Sequence, residues 1–64
     1  MGDFLWRLHD AGGSVIRDSH RFGSQEEAEA WMGGAWSELL DEGAESVSLV
    51  EGDETLYEMG LRAG

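Results

Sequence analysis

The segment SQEEAEAWMGGAWSELL, residues 24–40, spaces its apolar side chains three and four positions apart, as on one face of a helix. These side chains are Ala28, Trp31, Met32, Ala35, Trp36, Leu39 and Leu40. Ser24 is a favourable N-cap, and Glu27 completes a Ser-x-x-Glu capping box. Gly43 suits the left-handed position that follows a helix. The sequence therefore predicts one helix between Ser24 and Gly43.

Two-residue alternation of apolar and polar side chains, which is typical of strands, flanks this helix on both sides. It covers residues 3–10, 14–22, 45–52 and 54–62. The turn signals Ala-Gly-Gly at 11–13 and Gly52-Asp53 predict a hairpin within each pair. Because a lone hairpin is marginal in water, both should join one sheet. We expect an α+β fold, ββαββ, with one four-stranded, mainly antiparallel sheet and a single helix packed on one face. The strand order does not follow from the sequence.

The chain has 64 residues and no cysteine, so neither disulfides nor thiolate zinc sites can stabilise it. A chain of this size buries only about 60% of the surface that its unfolded form exposes. We expect one small domain, residues 1–64, with a core built on tryptophan and aliphatic side chains. A homodimer would add buried surface, so a second copy of the chain is one possible partner.

The segment FGSQEEAEAW, residues 22–31, precedes EGAESVSLVEGDETLYEMGL, residues 42–61. Together they resemble a group of small, acidic, uncharacterised ββαββ proteins from high-GC bacteria. The exclusive use of arginine as the basic residue agrees with such a genome. The resemblance implies no activity and no site residue.

Charge excludes several classes of partner. Fourteen acidic and four basic residues give a formal net charge of −10, which phosphate backbones and acidic membrane surfaces repel. We therefore expect no direct nucleic-acid binding and no membrane binding. The hydrophobic content of 41% is too high for a typical disordered acidic tail. With no recognisable signal peptide, the expected location is the cytoplasm.

Alternation also divides each strand between a helix-side face and an opposite face, called here the open face. The helix-side set comprises Phe4, Trp6, Leu8, Ile16, Phe22, Val47, Leu49, Tyr57, Met59 and Leu61. The open face receives every arginine, together with several apolar residues: Arg7, Arg17, Arg21, Arg62, Leu5, Val15, Val50 and Leu56. One interpretation is an arginine platform for a carboxylate- or phosphate-bearing partner. The other is a solvated face with cross-strand ion pairs.

Two consecutive glycines, Gly33 and Gly34, interrupt the helix, and each costs a helix interior about 1 kcal/mol relative to Ala. On a helical wheel, Gly34 lies with Ala30 and Ser37 opposite the apolar stripe. Such a small-residue strip lets another backbone approach closely, which favours docking of a partner. The alternatives are a helix kink or a tolerated loss of stability. Trp36, at the edge of the stripe, is either core or an exposed binding anchor.

The sequence shows no recognisable catalytic, cofactor or metal motif. Alternation places His9 on the open face and His20 on the helix side or at its rim. Ser19 and His20 are adjacent along a strand and so point to opposite faces, which argues against a nucleophile–base pair. The carboxylate clusters at 41–45 and 51–54 lack the spacing of a calcium loop. We expect no enzyme activity and no cofactor.

Two functions remain. The first is a non-enzymatic protein-interaction module that binds through the open face or the small-residue strip. The alternative is an acidic decoy that mimics nucleic acid and binds a basic DNA- or RNA-binding protein through Glu26, Glu29, Glu38, Asp41 and Glu42. Salt would weaken a decoy's binding steeply, whereas an apolar contact would be mostly salt-tolerant.

Overall fold

A computed structural model, which describes residues 2–61, confirms the α+β class and the order ββαββ. The elements are β1 (Phe4–His9), β2 (Val15–Asp18), α1 (Gln25–Asp41), β3 (Ser46–Glu51) and β4 (Glu54–Gly60). The strands form one sheet in the order β2-β1-β3-β4, and each neighbouring pair is antiparallel. The strands β2 and β3 therefore run in the same direction on either side of β1, and α1 connects them.

The N-terminus of α1 is capped by side chains. The Ser24 hydroxyl accepts a hydrogen bond from the Glu27 N–H at 3.1 Å. The Glu27 carboxylate accepts from the Gly23 N–H at 3.0 Å, so the reciprocal bond of the capping box goes to the residue before the N-cap. These bonds satisfy backbone donors that have no partner within the helix.

The helix α1 terminates as the sequence predicts, with Gly43 directly after the C-cap residue Glu42. This glycine has a φ of 103°, in the left-handed region that an L side chain rarely adopts. Its N–H donates to the Leu40 carbonyl, and the Ala44 N–H donates to the Leu39 carbonyl, both at 3.0 Å. The two bonds form a Schellman motif, and buried Leu39 and Ala44 supply its apolar contact.

The core lies between α1 and the helix-side face of the sheet. Its buried members are Trp6, Leu8, Phe22, Ala28, Met32, Leu39, Ala44, Val47, Leu49 and Leu61. Most of the residues assigned to this face by alternation are therefore in the core or pack against it. The assignment is wrong for Ile16, which is exposed as the extra residue of a bulge, and Met59 is exposed at the rim.

The second strand is shorter than the alternation over 14–22 predicts, because a side chain replaces part of the backbone ladder. The Ser19 hydroxyl accepts from the Trp6 N–H at 2.9 Å, in the place of a backbone carbonyl. Such local side-chain bonds compete with strand pairing. Regular pairing stops at Asp18, and a single bridge between Phe4 and Phe22 follows.

The helix does not cover the sheet evenly. Its backbone comes closest to β1, the second strand in the sheet order. A helix about 10 Å across covers roughly two strands spaced about 4.8 Å apart. The side of the sheet that carries β4 is therefore left without a helix above it. Within residues 2–61, α1 is too short and too polar to cross a membrane.

Candidate functional site

The prediction that Arg17 lies on the open face is wrong. A register irregularity between β1 and β2 leaves Ile16 as an extra residue, and Arg17 pairs with Leu8, whose side chain is in the core. One extra residue reverses the alternation of a strand. Arg17 therefore reaches the end of α1, where its Nε lies 2.8 Å from Glu42 Oε1. Hydrogen bonding to this guanidinium lowers the pKa of the Glu42 carboxyl.

The other arginines within residues 2–61 are also paired with carboxylates of the same chain. Arg7 lies opposite Asp18 on the open face, and its Nε is 3.0 Å from Asp18 Oδ1. Arg21 Nη1 is 3.1 Å from Asp3 Oδ1. Arg62 lies outside the described residues. Arg7, Arg17 and Arg21 thus do not form the predicted platform, and Arg7 makes a cross-strand pair of the kind expected for a solvated face.

The apolar part of the predicted platform is also largely absent. Leu5 and Val50 are buried, although they lie on the face away from α1. Leu56 is the extra residue of a second bulge, in β4, and packs against the core instead of the open face. Of the apolar residues assigned to the platform, only Val15 is largely exposed, at 55%.

The histidines are separated, as alternation predicts. On the open face, His9 Nε2 lies 2.9 Å from the Ser48 hydroxyl, which donates to a Glu58 carboxylate oxygen at 3.3 Å. His20 instead contacts the Phe22 ring, with centroids 4.3 Å apart and planes tilted by 52°. Residues 2–61 contain no group of histidine and acidic side chains arranged to hold a metal ion.

The small-residue strip lies on the outer surface of α1, where the helical wheel places it. Ala30, Gly34 and Ser37 are all exposed. A Cβ added at Gly34 would have no neighbour within 4 Å, so no element of the described chain approaches this surface closely.

The acidic residues of the decoy hypothesis are spread around α1. Glu29 contacts Tyr57 of β4, whereas Glu42 contacts Arg17 of β2, at the other edge of the sheet. Glu26, Glu38 and Asp41 are exposed elsewhere on the helix. These carboxylates do not form one continuous row.

A groove of about 410 Å³ lies between α1 and β4. Buried Trp6 and Met32 line it from below, and Trp36 of α1 and Met59 of β4 line it at the surface. Trp36 is 49% exposed and Met59 is 39% exposed, so two large apolar side chains face solvent across one groove. The groove, called here the α1–β4 groove, exists because α1 is centred over β1.

Gly33 also lines the α1–β4 groove, which gives one of the two helix glycines a structural role. Its missing side chain leaves the wall of the groove open beside Trp36. A Cβ at Gly33 would meet nothing within 4 Å, so packing inside the protein does not require glycine here. Glycine at this position widens the groove at the expense of helix stability.

Among residues 2–61, a single charged residue, Glu29, lines the groove. Its carboxylate oxygen accepts from the Tyr57 hydroxyl at 2.8 Å and from Gln25 Nε2 at 3.1 Å. The bonds from Gln25 and Tyr57 lower the pKa of Glu29, so it is ionised at neutral pH. Burial, together with the bond to Glu29, raises the pKa of Tyr57 to about 12. No arginine within residues 2–61 forms an ion pair with Glu29.

Comparisons of the chain with protein-family models, curated proteins and solved structures find no match. The chemistry of the groove therefore has to be interpreted from its own residues. Sequence reasoning placed Tyr57 and Met59 on the correct face but did not identify Glu29 or Gly33 as groove residues. The signal that pointed to the groove was Trp36, which sits at the edge of the apolar stripe.

Proposed function

We propose that this protein is a non-enzymatic interaction module that binds a basic segment of a protein partner in the α1–β4 groove. The observation that carries the proposal is the exposure of Trp36 and Met59 across a groove in which Glu29 is the single charged residue of the described part of the chain. Trp36 acts as the anchor, and Glu29 receives a lysine or arginine of the partner. The cytoplasmic location expected from the sequence stays a prediction.

Exposed apolar side chains support a binding role because a chain this small buries little apolar surface, and leaving more of it exposed lowers stability further. Tryptophan is among the residues most often found at the energetic centre of protein interfaces. A volume of about 410 Å³ lies in the lower part of the range for ligand sites, roughly 300–1,000 Å³. The groove therefore has room for one or two side chains of a partner rather than for a whole folded surface.

Charge favours a basic partner. The chain has a formal net charge of −10, and the described arginines hold carboxylates away from the groove. Opposite charge speeds encounter and selects among partners, while the apolar contact supplies most of the affinity. The proposal keeps Trp36 from the predicted site and replaces the arginine platform with the α1–β4 groove.

Selection from a displayed library of random peptides tests the proposal. We expect the selected peptides to combine an aromatic or large aliphatic residue with lysine or arginine. Trp36→Glu should abolish their binding, because it places a charge at the apolar anchor. Val15→Glu is the matched control, since Val15 is similarly exposed but lies on β2, and it should bind like the wild type. Failure to select any peptide, or equal binding by both variants, would contradict the proposal.

The acidic decoy predicts a different outcome for the same variants. Its binding depends on total negative charge, so Trp36→Glu and Val15→Glu would both leave it intact or strengthen it. Its affinity would also fall steeply with added salt, because exposed charges are screened within about 10 Å at 0.1 M salt. A groove contact should lose only the part of its affinity that Glu29 contributes.

A further inference from the structure

We infer that the partner segment binds as an extended strand along the free edge of β4, with one side chain inserted in the α1–β4 groove. This inference rests on the proposed function and adds the mode of recognition. Strand addition to a sheet edge gives affinity through main-chain hydrogen bonds, and pockets for alternate side chains give specificity. The structure supplies both parts side by side.

The first part is the edge itself. β4 is the last strand of the sheet, and no strand within residues 2–61 pairs with its outer edge. The Leu61 N–H donates to the Glu45 carbonyl at 2.9 Å, just beyond the paired residues Gly60 and Ser46. Antiparallel ladders alternate between bonded and non-bonded pairs, so the N–H and C=O of Gly60 and Glu58 point outward.

A bulge limits which part of β4 can accept a strand. Its extra residue, Leu56, disrupts the first half of β4 and leaves residues 57–60 in regular register with β3. Bulges and charges are the usual means by which edges resist pairing. The regular half offers the outward backbone groups of Glu58 and Gly60, and it borders the groove through Tyr57, Met59 and Gly60.

The second part is the position of the groove relative to that edge. Tyr57 and Met59 alternate onto the helix side of β4. A strand added about 4.8 Å beyond β4 would place every second side chain on this same side. Those side chains would point into the space between β4 and Trp36. One apolar residue there fills the groove, and a basic residue two positions away can reach Glu29.

Charge selects a basic peptide over a second copy of the chain. Two copies would each bring a net charge of −10 to the interface. Pairing β4 with itself in the register that opposes the two Glu58 residues would also bring like charges together, which is destabilising across strands. A segment with lysine on either side of one aromatic residue would instead bring positive charge to this acidic protein.

The synthetic peptide acetyl-Lys-Thr-Trp-Thr-Lys-amide provides the probe. In an extended conformation, its two lysines and its tryptophan share one side and its threonines share the other. Replacing both lysines with glutamate should weaken binding by about tenfold or more, which corresponds to roughly 1.4 kcal/mol. Equal binding by the two peptides would overturn the charge selection.

Amide hydrogen exchange, measured by NMR with and without the probe peptide, tests the strand pairing. We expect the Glu58 and Gly60 amides to exchange freely in the unbound protein and to become protected on binding. The Tyr57 and Met59 amides should be protected in both states. If the Trp36 signals shift but the Glu58 and Gly60 amides stay unprotected, strand addition is wrong and the proposed groove function stands.

A pair of variants at Gly60 gives an independent test. Gly60→Pro removes an outward N–H, which an edge strand tolerates, whereas Gly60→Ala keeps it. A Cβ at this position has no neighbour within 4 Å, so Gly60→Ala fits without repacking. We expect Gly60→Ala to bind the probe peptide and Gly60→Pro to lose binding, with circular dichroism confirming that both are folded. Equal binding would overturn the inference.

Methylation of the peptide backbone tests the same bonds without changing the protein. Methyl groups on one set of alternate peptide nitrogens should abolish binding, and those on the other set should leave it unchanged. Equal effects of the two sets would overturn strand pairing. A dimer that forms through β4, detected by light scattering and lost in Gly60→Pro, would overturn the choice of a basic peptide as occupant.

Discussion

The indole N–H of Trp6 donates a hydrogen bond of 2.8 Å to the carbonyl oxygen of Ala28, and this bond joins the middle of β1 to the first half of α1. Trp6 is fully buried, and its ring makes a T-shaped contact with the Tyr57 ring, with centroids 6.0 Å apart. One side chain thus sets the position of the helix over β1 and contacts the strand on the far side of the groove. The groove depends on this residue for its shape.

Trp6→Phe should therefore lower the free energy of unfolding by about 2–3 kcal/mol, since it removes the bond to Ala28 and leaves a cavity. Urea denaturation followed by circular dichroism measures the change. Trp36→Phe is the matched control, and because Trp36 is half-exposed its effect should stay within about 0.5 kcal/mol. Similar losses in the two variants would contradict the role assigned to Trp6.

The two helix glycines should respond differently to the same substitution. Gly33→Ala and Gly34→Ala should each stabilise the fold by about 1 kcal/mol, because both positions are exposed in α1 and have free space. Only Gly33→Ala should weaken peptide binding, since only Gly33 lines the groove. Thermal denaturation and a binding titration report the two effects. A change of binding or of oligomeric state in Gly34→Ala would instead support docking on the small-residue strip.

Gly43→Ala should have the opposite sign. The residue follows α1 with a φ of 103°, a conformation that costs an L side chain roughly 1–2 kcal/mol. We expect the free energy of unfolding to fall by that amount, although a Cβ at Gly43 meets no neighbour. Urea denaturation beside Gly34→Ala separates backbone conformation from helix propensity. A stabilising Gly43→Ala would show that the Schellman motif is not formed.

The pKa of Tyr57 predicts how stability changes in alkali. An unfolded tyrosine ionises near pH 10, whereas the fold raises the pKa of Tyr57 to about 12. The folded state binds this proton more tightly, so its contribution is complete below about pH 10 and is lost as the pH rises towards 12. Tyr57 is the only tyrosine, so tyrosinate absorbance follows it directly. An ionisation near pH 10 in the folded protein would contradict the partly buried position of Tyr57 and its bond to Glu29.

Glu29→Gln provides the control for this titration. Burial is the larger cause of the raised pKa and remains in the variant, while the charged acceptor is lost. The pKa of Tyr57 should therefore move part of the way back towards 10. The same variant should weaken binding of the lysine-containing peptide, which links the titration to the proposed site.

Local signals were sufficient to predict the elements and most of the core. Ser24 and Gly43 bound the helix because capping depends on neighbouring residues alone. Alternation placed Trp6 and Leu49 on the helix side because their strands are regular over that stretch. The strand order could not be predicted, since hairpin turns specify which strands pair locally but not which hairpin strand becomes central.

The site was harder to predict because it depends on irregularities that alternation does not reveal. The bulge at Ile16 moved Arg17 to the helix side, and the bulge at Leu56 drew that residue into the core. The position of α1 over β1 decided that Trp36 and Met59 would be exposed. None of these features has a strong local sequence signal.

The interruption of β2 has a consequence for assembly. Because β2 has a bulge at Ile16 and the Ser19 hydroxyl replaces a backbone carbonyl in its pairing with β1, this edge strand is only four residues long. Polymerisation by strand addition needs two receptive borders on every subunit, so that each new member can recruit the next. A subunit with one receptive border can pair with a single neighbour, so assembly stops at two members. This limit protects the small protein from forming a fibre.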